Sequence, residues 1–251
     1  MEKNKNILSP NSKNQTPIHL ASLNGSLEFI EKYVSILAHE ISSRELEKPD
    51  IDGRTPLMLS SINGHLNIFN YLLKLNVNVK QQDNLNRDSI LHLLVKLKQN
   101  KILEFLLKWN DFENKLDINI KNNKERTALN CAGHCCNDEA IYILCSFEAN
   151  TSLLDNDKHT PLELAILSES QLENKESAIL ALIKCGADYS NAENFCKSNL
   201  SEDTCTSPLN AIVKFIRING EFKASHRLSE VNLNKITNLV FQGGSLKGKI
   251  N

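Results

Sequence analysis

Long apolar runs are missing from this sequence of 251 residues. Its longest dense apolar stretch, IYILCSF at residues 141–147, is far shorter than the roughly 20 residues that a helix needs to span a bilayer. An excess of positive charge is missing too, because the formal net charge is −1 at pH 7. We therefore expect no direct membrane insertion, and the composition does not favour nucleic acid, whose binding requires many phosphates to be neutralised.

Catalytic signatures are also missing. The sequence has no glycine-rich phosphate loop, no Gly-x-Ser-x-Gly nucleophile elbow and no His-Glu-x-x-His zinc motif. We therefore predict a protein that is not an enzyme and that uses no cofactor and no small-molecule substrate. The seven cysteines are odd in number and irregularly spaced, which indicates reduced thiols and a location in the cytoplasm or the nucleus.

What is present is a repeated unit, seen most clearly in DIDGRTPLMLSSINGHLNIFNYLLK at residues 50–74. Thr55 can cap a helix, and Pro56 suits the first helical position, where its missing N–H costs nothing. Asn63 and Gly64 supply the left-handed conformation that ends a helix. A second helix follows, with one apolar stripe made by Ile68, Phe69, Leu72 and Leu73. The window predicts a helical hairpin whose apolar faces have no partner within it.

The unit recurs along the chain. The hydroxyl that begins it stands at Thr16, Thr55, Ser89, Thr127, Thr160 and Ser207. Successive spacings are 39, 34, 38, 33 and 47 residues, and four of the six prolines directly follow one of these hydroxyl residues. Positions 13, 14, 17 and 18 after the hydroxyl carry the second-helix stripe in the first four units, and the fifth shows it after a five-residue insertion. Such hairpins bury their apolar faces by stacking on one another.

The segments QTPIHLASLNG, DGRTPLMLSSINGH and TPLELAI, with IKCGADYSNAEN, resemble the ankyrin-repeat family, and SILHLLV and TALNCAG resemble it less closely. The resemblance implies an all-α solenoid of stacked helix-turn-helix units joined by short hairpin-like turns, with about five clear repeats and a degenerate sixth. It divides the chain into an N-terminal tail (1–10), repeats 1–5 (11–192), a flexible loop (193–205) and a degenerate C-terminal repeat with its tail (206–251). It also implies that His19 and His92 tie their turns to the neighbouring repeats.

The segment CAGHCC holds residue types that ligate metals, namely Cys131, His134, Cys135 and Cys136. The repeat register places Cys131 in the apolar stripe of a first helix and Cys136 at the turn position that Gly64 occupies in the second repeat. We therefore expect the four side chains to splay apart and to bind no metal. No second cluster with zinc-site spacing accompanies them.

The function implied by the resemblance is a non-enzymatic scaffold or adaptor that binds a protein partner on the concave face of the repeat array. An alternative is the cytosolic arm of a larger membrane protein, such as an ankyrin-type transient receptor potential channel, because HEISSRELEKPDIDGRTPL is loosely similar to a stretch of those arms. A third interpretation is the substrate-recognition part of an enzyme complex, for instance a ubiquitin ligase adaptor. The sequence does not identify the partner.

By the same resemblance, the concave face consists of the turn tips that precede each hydroxyl and of the exposed ends of the first helices. The tip residues are Asp52, Arg54, Leu85, Asp88, Lys124, Arg126, Asp157 and His159. The helix-end residues are Leu23, Asn24, Ile62, Asn63, Lys96, Leu97, His134 and Cys135. Ile62 and Leu97 are apolar at exposed positions, so they are candidate anchors. Because exposed charges contribute little to a fold, reversing Arg54 and Arg126 is expected to change stability little.

Overall fold

The computed structural model describes residues 9–36, 43–113, 116–190 and 192–199, and the chain divides into two compact units, Met1–Asp188 and Tyr189–Asn251. The helices of the first unit are α1 (Pro17–Asn24), α2 (Leu27–Ile36), α3 (Ser43–Glu47), α4 (Pro56–Ile62), α5 (Leu66–Lys74), α6 (Ile90–Lys96), α7 (Asn100–Glu113), α8 (Ala128–His134), α9 (Asp138–Ser146), α10 (Pro161–Leu167) and α11 (Leu172–Lys184). Within the described ranges, β-type pairing is limited to an isolated antiparallel bridge between Gln82 and Ser89. The predicted all-α architecture of five helical hairpins is confirmed.

Each first helix begins directly after the predicted hydroxyl residue. The backbone N–H of Met58 donates to Thr55 Oγ1 at 3.3 Å, which satisfies one of the amides that a helix start leaves without a partner. In the other four repeats, a polar side chain three residues after the hydroxyl completes the cap. These pairs are Thr16–His19, Ser89–His92, Thr127–Asn130 and Thr160–Glu163. One capping scheme is therefore built from three different side-chain types.

In each of the first four repeats, the turn after the first helix contains a left-handed residue nine positions after the hydroxyl. The φ angles are 80° at Gly25, 75° at Gly64, 54° at Lys98 and 48° at Cys136. Glycine adopts this conformation without steric cost. Residues with a side chain rarely adopt it, but Lys98 and Cys136 do so here. The turn position predicted for Cys136 is confirmed.

The predicted second-helix stripes form a large part of the core of the first unit, together with first-helix residues such as Leu57 and Leu91. All four stripe residues of α5 and all four of α7 are at most 3% exposed. Phe69 of α5 also meets Phe105 of α7 edge to face, with ring centroids 6.5 Å apart. In the first repeat, Phe29 is 44% exposed and stacks on Tyr33, so this stripe is buried only in part.

One polar residue in every tip was not anticipated from the sequence. Asp50 Oδ1 accepts the backbone N–H groups of Asp52 and Arg54 at 3.0 and 2.9 Å, which closes the tip on itself. The residues with the same role in the next three tips are Asp83, Asn122 and Asp155. All four are buried, and an Asp or Asn five residues before the hydroxyl, or six in the third tip, is the sequence signal for them.

The second unit contains α12 (Ala192–Asn199), which lies where the sequence predicts a flexible loop over 193–205. The loop prediction is wrong for residues 193–199. It relied on polar composition, but Cys196 is 5% exposed and Asn199 Nδ2 bonds the carbonyl oxygen of Phe195 one turn earlier. The predicted degenerate repeat at 206–251 and most of the predicted tail at 1–10 lie outside the described residues.

Candidate partner-binding face

The tips of repeats 2 to 5 form a continuous row, because each tip bonds the backbone of the next. The backbone N–H of Asn84 donates to the Asp52 carbonyl oxygen at 2.8 Å. Two further bonds extend the row, Asn123 N–H to Asn86 O at 2.9 Å and Asn156 N–H to Lys124 O at 3.0 Å. The predicted tip residues therefore belong to one connected row of tips. Asp52 and Arg54 are partly exposed in this row, and a terminal guanidinium nitrogen of Arg54 lies 3.5 Å from Asp52 Oδ2.

Asp88 is not a surface residue, although the sequence interpretation placed it on the concave face. Its side chain is 2% exposed and pairs with Lys96 Nζ at 2.5 Å. Asn122 Nδ2 donates to the other carboxylate oxygen at 2.8 Å, which joins the third tip to the fourth. A buried carboxylate requires such partners, so Asp88 serves the fold and its ammonium partner Lys96 faces the surface.

Arg126 also differs from its prediction as an exposed charge. Its side chain is 13% exposed, and its Nε–H donates to Asp155 Oδ2 at 2.9 Å across the boundary between repeats 4 and 5. Burial by itself would raise the pKa of Asp155, but the backbone N–H of His159 and the Arg126 guanidinium outweigh it and lower that pKa. The expected small effect of reversing Arg126 rested on an exposed charge, and that premise is wrong.

Some of the predicted helix-end residues contact a neighbouring repeat, and others are exposed to solvent. Asn63 Nδ2 donates to the Leu23 carbonyl oxygen at 2.6 Å, so this predicted binding residue ties the second repeat to the first. Ile62 is half-buried, and its carbonyl oxygen lies 3.4 Å from Gln99 Nε2. Leu97 is 44% exposed, as expected of a candidate anchor, and Leu85 in the third tip is 52% exposed. Leu85 and Leu97 are thus the exposed apolar side chains of the third repeat's tip and first-helix end, and Ile51 in the second tip is 62% exposed.

Tips and helix ends meet at a pocket of about 160 Å³ between repeats 3 and 4. It is lined by Asn86, Lys96, Asn122, Asn123, Lys124, Arg126, Cys131, His134 and Cys135. The sequence interpretation expected the CAGHCC side chains to splay apart, but three of the four share this pocket. They are separated by three and four positions on α8 and its cap, which places them on one helix face. Cys136 alone is buried in the turn, with its Sγ 3.6 Å from the Gly133 carbonyl oxygen.

Three cations line the pocket and act on its titratable groups. Burial is the largest cause that lowers the pKa of His134, and the cations of Arg126, Lys124 and Lys96 lower it further, with Asp155 opposing them. Burial raises the pKa of Cys131 to about 12 and also raises the pKa of Cys135. Both thiols are therefore protonated at neutral pH, which leaves them poor nucleophiles. The chemistry of the pocket suits polar binding more than covalent catalysis.

Asp155, Asp157 and His159 bring three potential metal-ligand atoms within 4.8 Å of one another. Asp155 already accepts two backbone N–H groups of the tip and the Nε–H of Arg126. The adjacent guanidinium opposes the approach of a metal cation, and Asp157 is exposed. The cluster therefore organises the fifth tip, and it leaves Asp157 and half-buried His159 at the surface.

The described helices include none that is both long and apolar enough to cross a membrane. Comparison with curated proteins finds no match to the chain. A family model described as ankyrin repeats (3 copies) matches residues 2–83 and 91–193. The matched residues make up most of the chain and contain the buried stripes and most of the capped first helices and tips. Residues 84–90, with most of the third tip and its capping Ser89, lie between the two matched ranges. The chain belongs to the ankyrin-repeat family.

Proposed function

We propose that this protein binds a protein partner on its concave face, as a scaffold or adaptor that catalyses no reaction. Ankyrin repeats are in general protein-interaction modules. The observation that carries the proposal is the connected row of tips, which meets the ends of α6 and α8 in one polar pocket. An extended, rigid row of this kind offers many contact points to a macromolecule.

The groups beside the pocket support a protein as the partner. Leu85 precedes the pocket residue Asn86 in the chain, and Leu97 follows the pocket residue Lys96. The two leucines are 52% and 44% exposed, so apolar surface adjoins a cluster of hydrogen-bonding groups. Protein interfaces combine apolar anchors with a polar surround in this way.

The proposed location is the cytoplasm or the nucleus, and it rests on the number and spacing of the cysteines. The channel-arm alternative has the loose sequence resemblance as its support. It is separated from the proposal by transcripts of the locus, since a downstream run of apolar spans would identify a membrane protein.

Affinity purification of the tagged chain with mass spectrometry identifies candidate partners, and a titration then locates the binding face. Leu85→Asp and Leu97→Asp should each weaken binding about tenfold or more, as the loss of an interface anchor does. The control is Lys74→Glu, at an exposed position in the last turn of α5. Its affinity should equal that of the parent. Unchanged affinity for both leucine variants, or a larger loss for Lys74→Glu, would show that the protein binds by another surface.

A further inference from the structure

Two cations of the pocket are held in position by buried carboxylates. Asp88 fixes Lys96, and Asp155 fixes Arg126, and the two aspartate side chains are only 2% and 1% exposed. Each carboxylate has additional hydrogen bonds on its protein side, from Asn122 to Asp88 and from two backbone N–H groups to Asp155. Each cation is therefore held by an ion pair before a ligand arrives, which lowers the entropic cost of binding.

These cations retain hydrogen-bond donors. A lysine ammonium has three N–H groups and a guanidinium has five. Lys96 donates one hydrogen bond to Asp88, and Arg126 donates one to Asp155. The terminal nitrogens of Arg126 have no acceptor within the described ranges. Lys124 is exposed, and no carboxylate in the described part of the chain pairs with it. The pocket wall thus holds more donors than the protein itself uses.

The negative ends of α6 and α8 oppose this positive charge, since Lys96 and His134 are the last residues of those helices. A helix end carries about half an elementary charge, and its effect fades within one turn. The N–H groups of Leu97 and Cys135 also cap carbonyl oxygens at these two ends. Asp88 and Asp155 offset two of the three cations, so the cluster carries a formal charge of about +1 before the helix ends are counted. After burial, Arg126 and Lys124 are the largest causes that lower the pKa of His134, ahead of the opposing Asp155, so the cations prevail at this wall of the pocket.

We propose that this pocket binds a carboxylate side chain from an acidic peptide segment of the partner protein. The inference rests on the proposed function and names the chemistry that the partner brings. Lys124 and Lys96 supply charge, and the Arg126 fork supplies paired N–H groups that match the geometry of a carboxylate. Asn123 and His134 add neutral polar groups to the same wall.

A peptide is favoured over a nucleic acid by the charges on either side of the pocket. Asp52 in the second tip and Asp157 in the fifth are both at least partly exposed, so carboxylates flank the cationic cluster within the tip row. They would repel the evenly spaced phosphates of a nucleic-acid strand, which binds through an extended series of cations. A segment with one or two carboxylates beside apolar residues matches the pocket together with Leu85 and Leu97.

The test uses the full chain and a fluorescein-labelled peptide, Gly-Leu-Glu-Glu-Leu-Gly, with its Gln-Gln counterpart and octathymidylate as comparison probes. Fluorescence anisotropy should show the Glu peptide binding about tenfold more tightly than the Gln peptide, the scale of a lost charge-assisted hydrogen bond. Lys124→Gln should remove this preference, and Lys124 has no ion pair in the described fold to disturb. The matched control Lys101→Gln, at an exposed site on α7, should retain it.

A second readout does not depend on substitution. Cys135 lines the pocket and is half-buried, so saturating Glu peptide should slow its alkylation by iodoacetamide, measured by peptide mass spectrometry. The modification of Cys145, a half-buried thiol on α9, should be unchanged. Lys96→Gln is a less suitable variant, because it leaves the buried Asp88 carboxylate without its cation.

Three results would overturn the inference: equal affinity for the Glu and Gln peptides, equal effects of Lys124→Gln and Lys101→Gln, or tighter binding of octathymidylate than of the Glu peptide. The two proposals can fail separately. If Leu97→Asp weakens the natural partner but the Glu peptide shows no preference, only the carboxylate inference fails. If the Glu peptide depends on Lys124 but the partner ignores both leucine variants, only the proposed binding face fails.

Discussion

Arg54 and Arg126 occupy the same place in repeats 2 and 4, one residue before the capping hydroxyl, and yet they do different things. Arg126 reaches the buried Asp155 of the next repeat at 2.9 Å. Arg54 pairs with Asp52 of its own tip at 3.5 Å, with both side chains near the surface. The Nε of Arg54 has no hydrogen-bond partner among the described residues. One register position therefore holds an inter-repeat bond in one repeat and a surface pair in the other.

The difference accompanies a change in the neighbouring tip. The residue before the hydroxyl bonds the tip-closing Asp or Asn of the next repeat in three cases: Gln15 to Asp50, Asp88 to Asn122 and Arg126 to Asp155. The third tip, which follows Arg54, is one residue longer, and Asp83 accepts N–H groups three and five residues ahead instead of two and four. The role of a tip charge is therefore set by the repeat that follows it.

The largest expected effect comes from removal of the ion pair between Arg126 and Asp155. Arg126→Ala leaves Asp155 buried without its cation, and we expect it to lower the free energy of unfolding by about 3–5 kcal/mol. Arg54→Ala removes only a surface pair and should cost less than about 1 kcal/mol. Urea unfolding followed by circular dichroism measures both. Equal losses would mean that the two arginines are energetically equivalent after all.

The second prediction concerns what the two repeats share. Leu72 and Leu144 stand 17 residues after their hydroxyl in repeats 2 and 4, and both are fully buried. Each substitution by alanine should lower stability by about 2–5 kcal/mol, as deletion of buried methyl groups does. Lys74→Glu on α5 serves as the surface control. A denaturation midpoint that stays at the parent value for either leucine variant would show that the core register is wrong in that repeat.

A third prediction compares the sixth position after the hydroxyl, which is Ser61 in repeat 2 and Gly133 in repeat 4. A Cβ on Gly133 would lie 2.2 Å from the Pro161 carbonyl oxygen, so backbone has to shift. We expect Gly133→Ala to destabilise by about 1–3 kcal/mol. Ser61→Ala loses only an intrahelical bond to the Met58 carbonyl oxygen, which contributes little. Thermal melts that rank the two variants in the opposite order would refute the close approach of α8 and α10.

The last and smallest effect is a pH dependence at the tip that carries Arg126. His92 Nε2 lies 2.8 Å from the Arg126 carbonyl oxygen, and burial is the main cause that lowers the pKa of His92 below 6.5. The unfolded chain therefore binds this proton more readily than the folded chain does. The contribution of His92 to stability is full above pH 6.5 and falls as the pH drops below it.

The matched variant is His92→Asn, because Asn130 performs the same capping role in repeat 4 and does not titrate in this range. Urea midpoints between about pH 7.5 and pH 5 should fall less steeply for the variant than for the parent. His19 and His134 remain in both proteins, so the difference between the two slopes isolates His92. Parallel slopes would contradict a lowered pKa at this site.

Much of the fold was predictable, because the signals that specify it are local. The hydroxyl caps, the left-handed turn at Gly64 and the second-helix stripes each depend on residues within about 20 positions of one another. The candidate site was predictable only in part. The resemblance to the ankyrin-repeat family implied that Lys96, Lys124 and His134 lie on the concave face, and all three line the pocket. The sequence did not predict the burial of Asp88, because the exposure of a tip residue depends on its contacts with the neighbouring tip.

The sequence by itself determined that this protein is a stack of capped helical hairpins, since caps, turns and apolar stripes act over one or two helical turns. Only the tertiary structure decided which tip charges are buried, which are paired and which remain for a partner. The Asn122–Asp88 and Arg126–Asp155 bonds join residues 34 and 29 positions apart. Their formation depends on how one repeat seats against the next, and one added residue in a tip is enough to separate the role of Arg54 from that of Arg126.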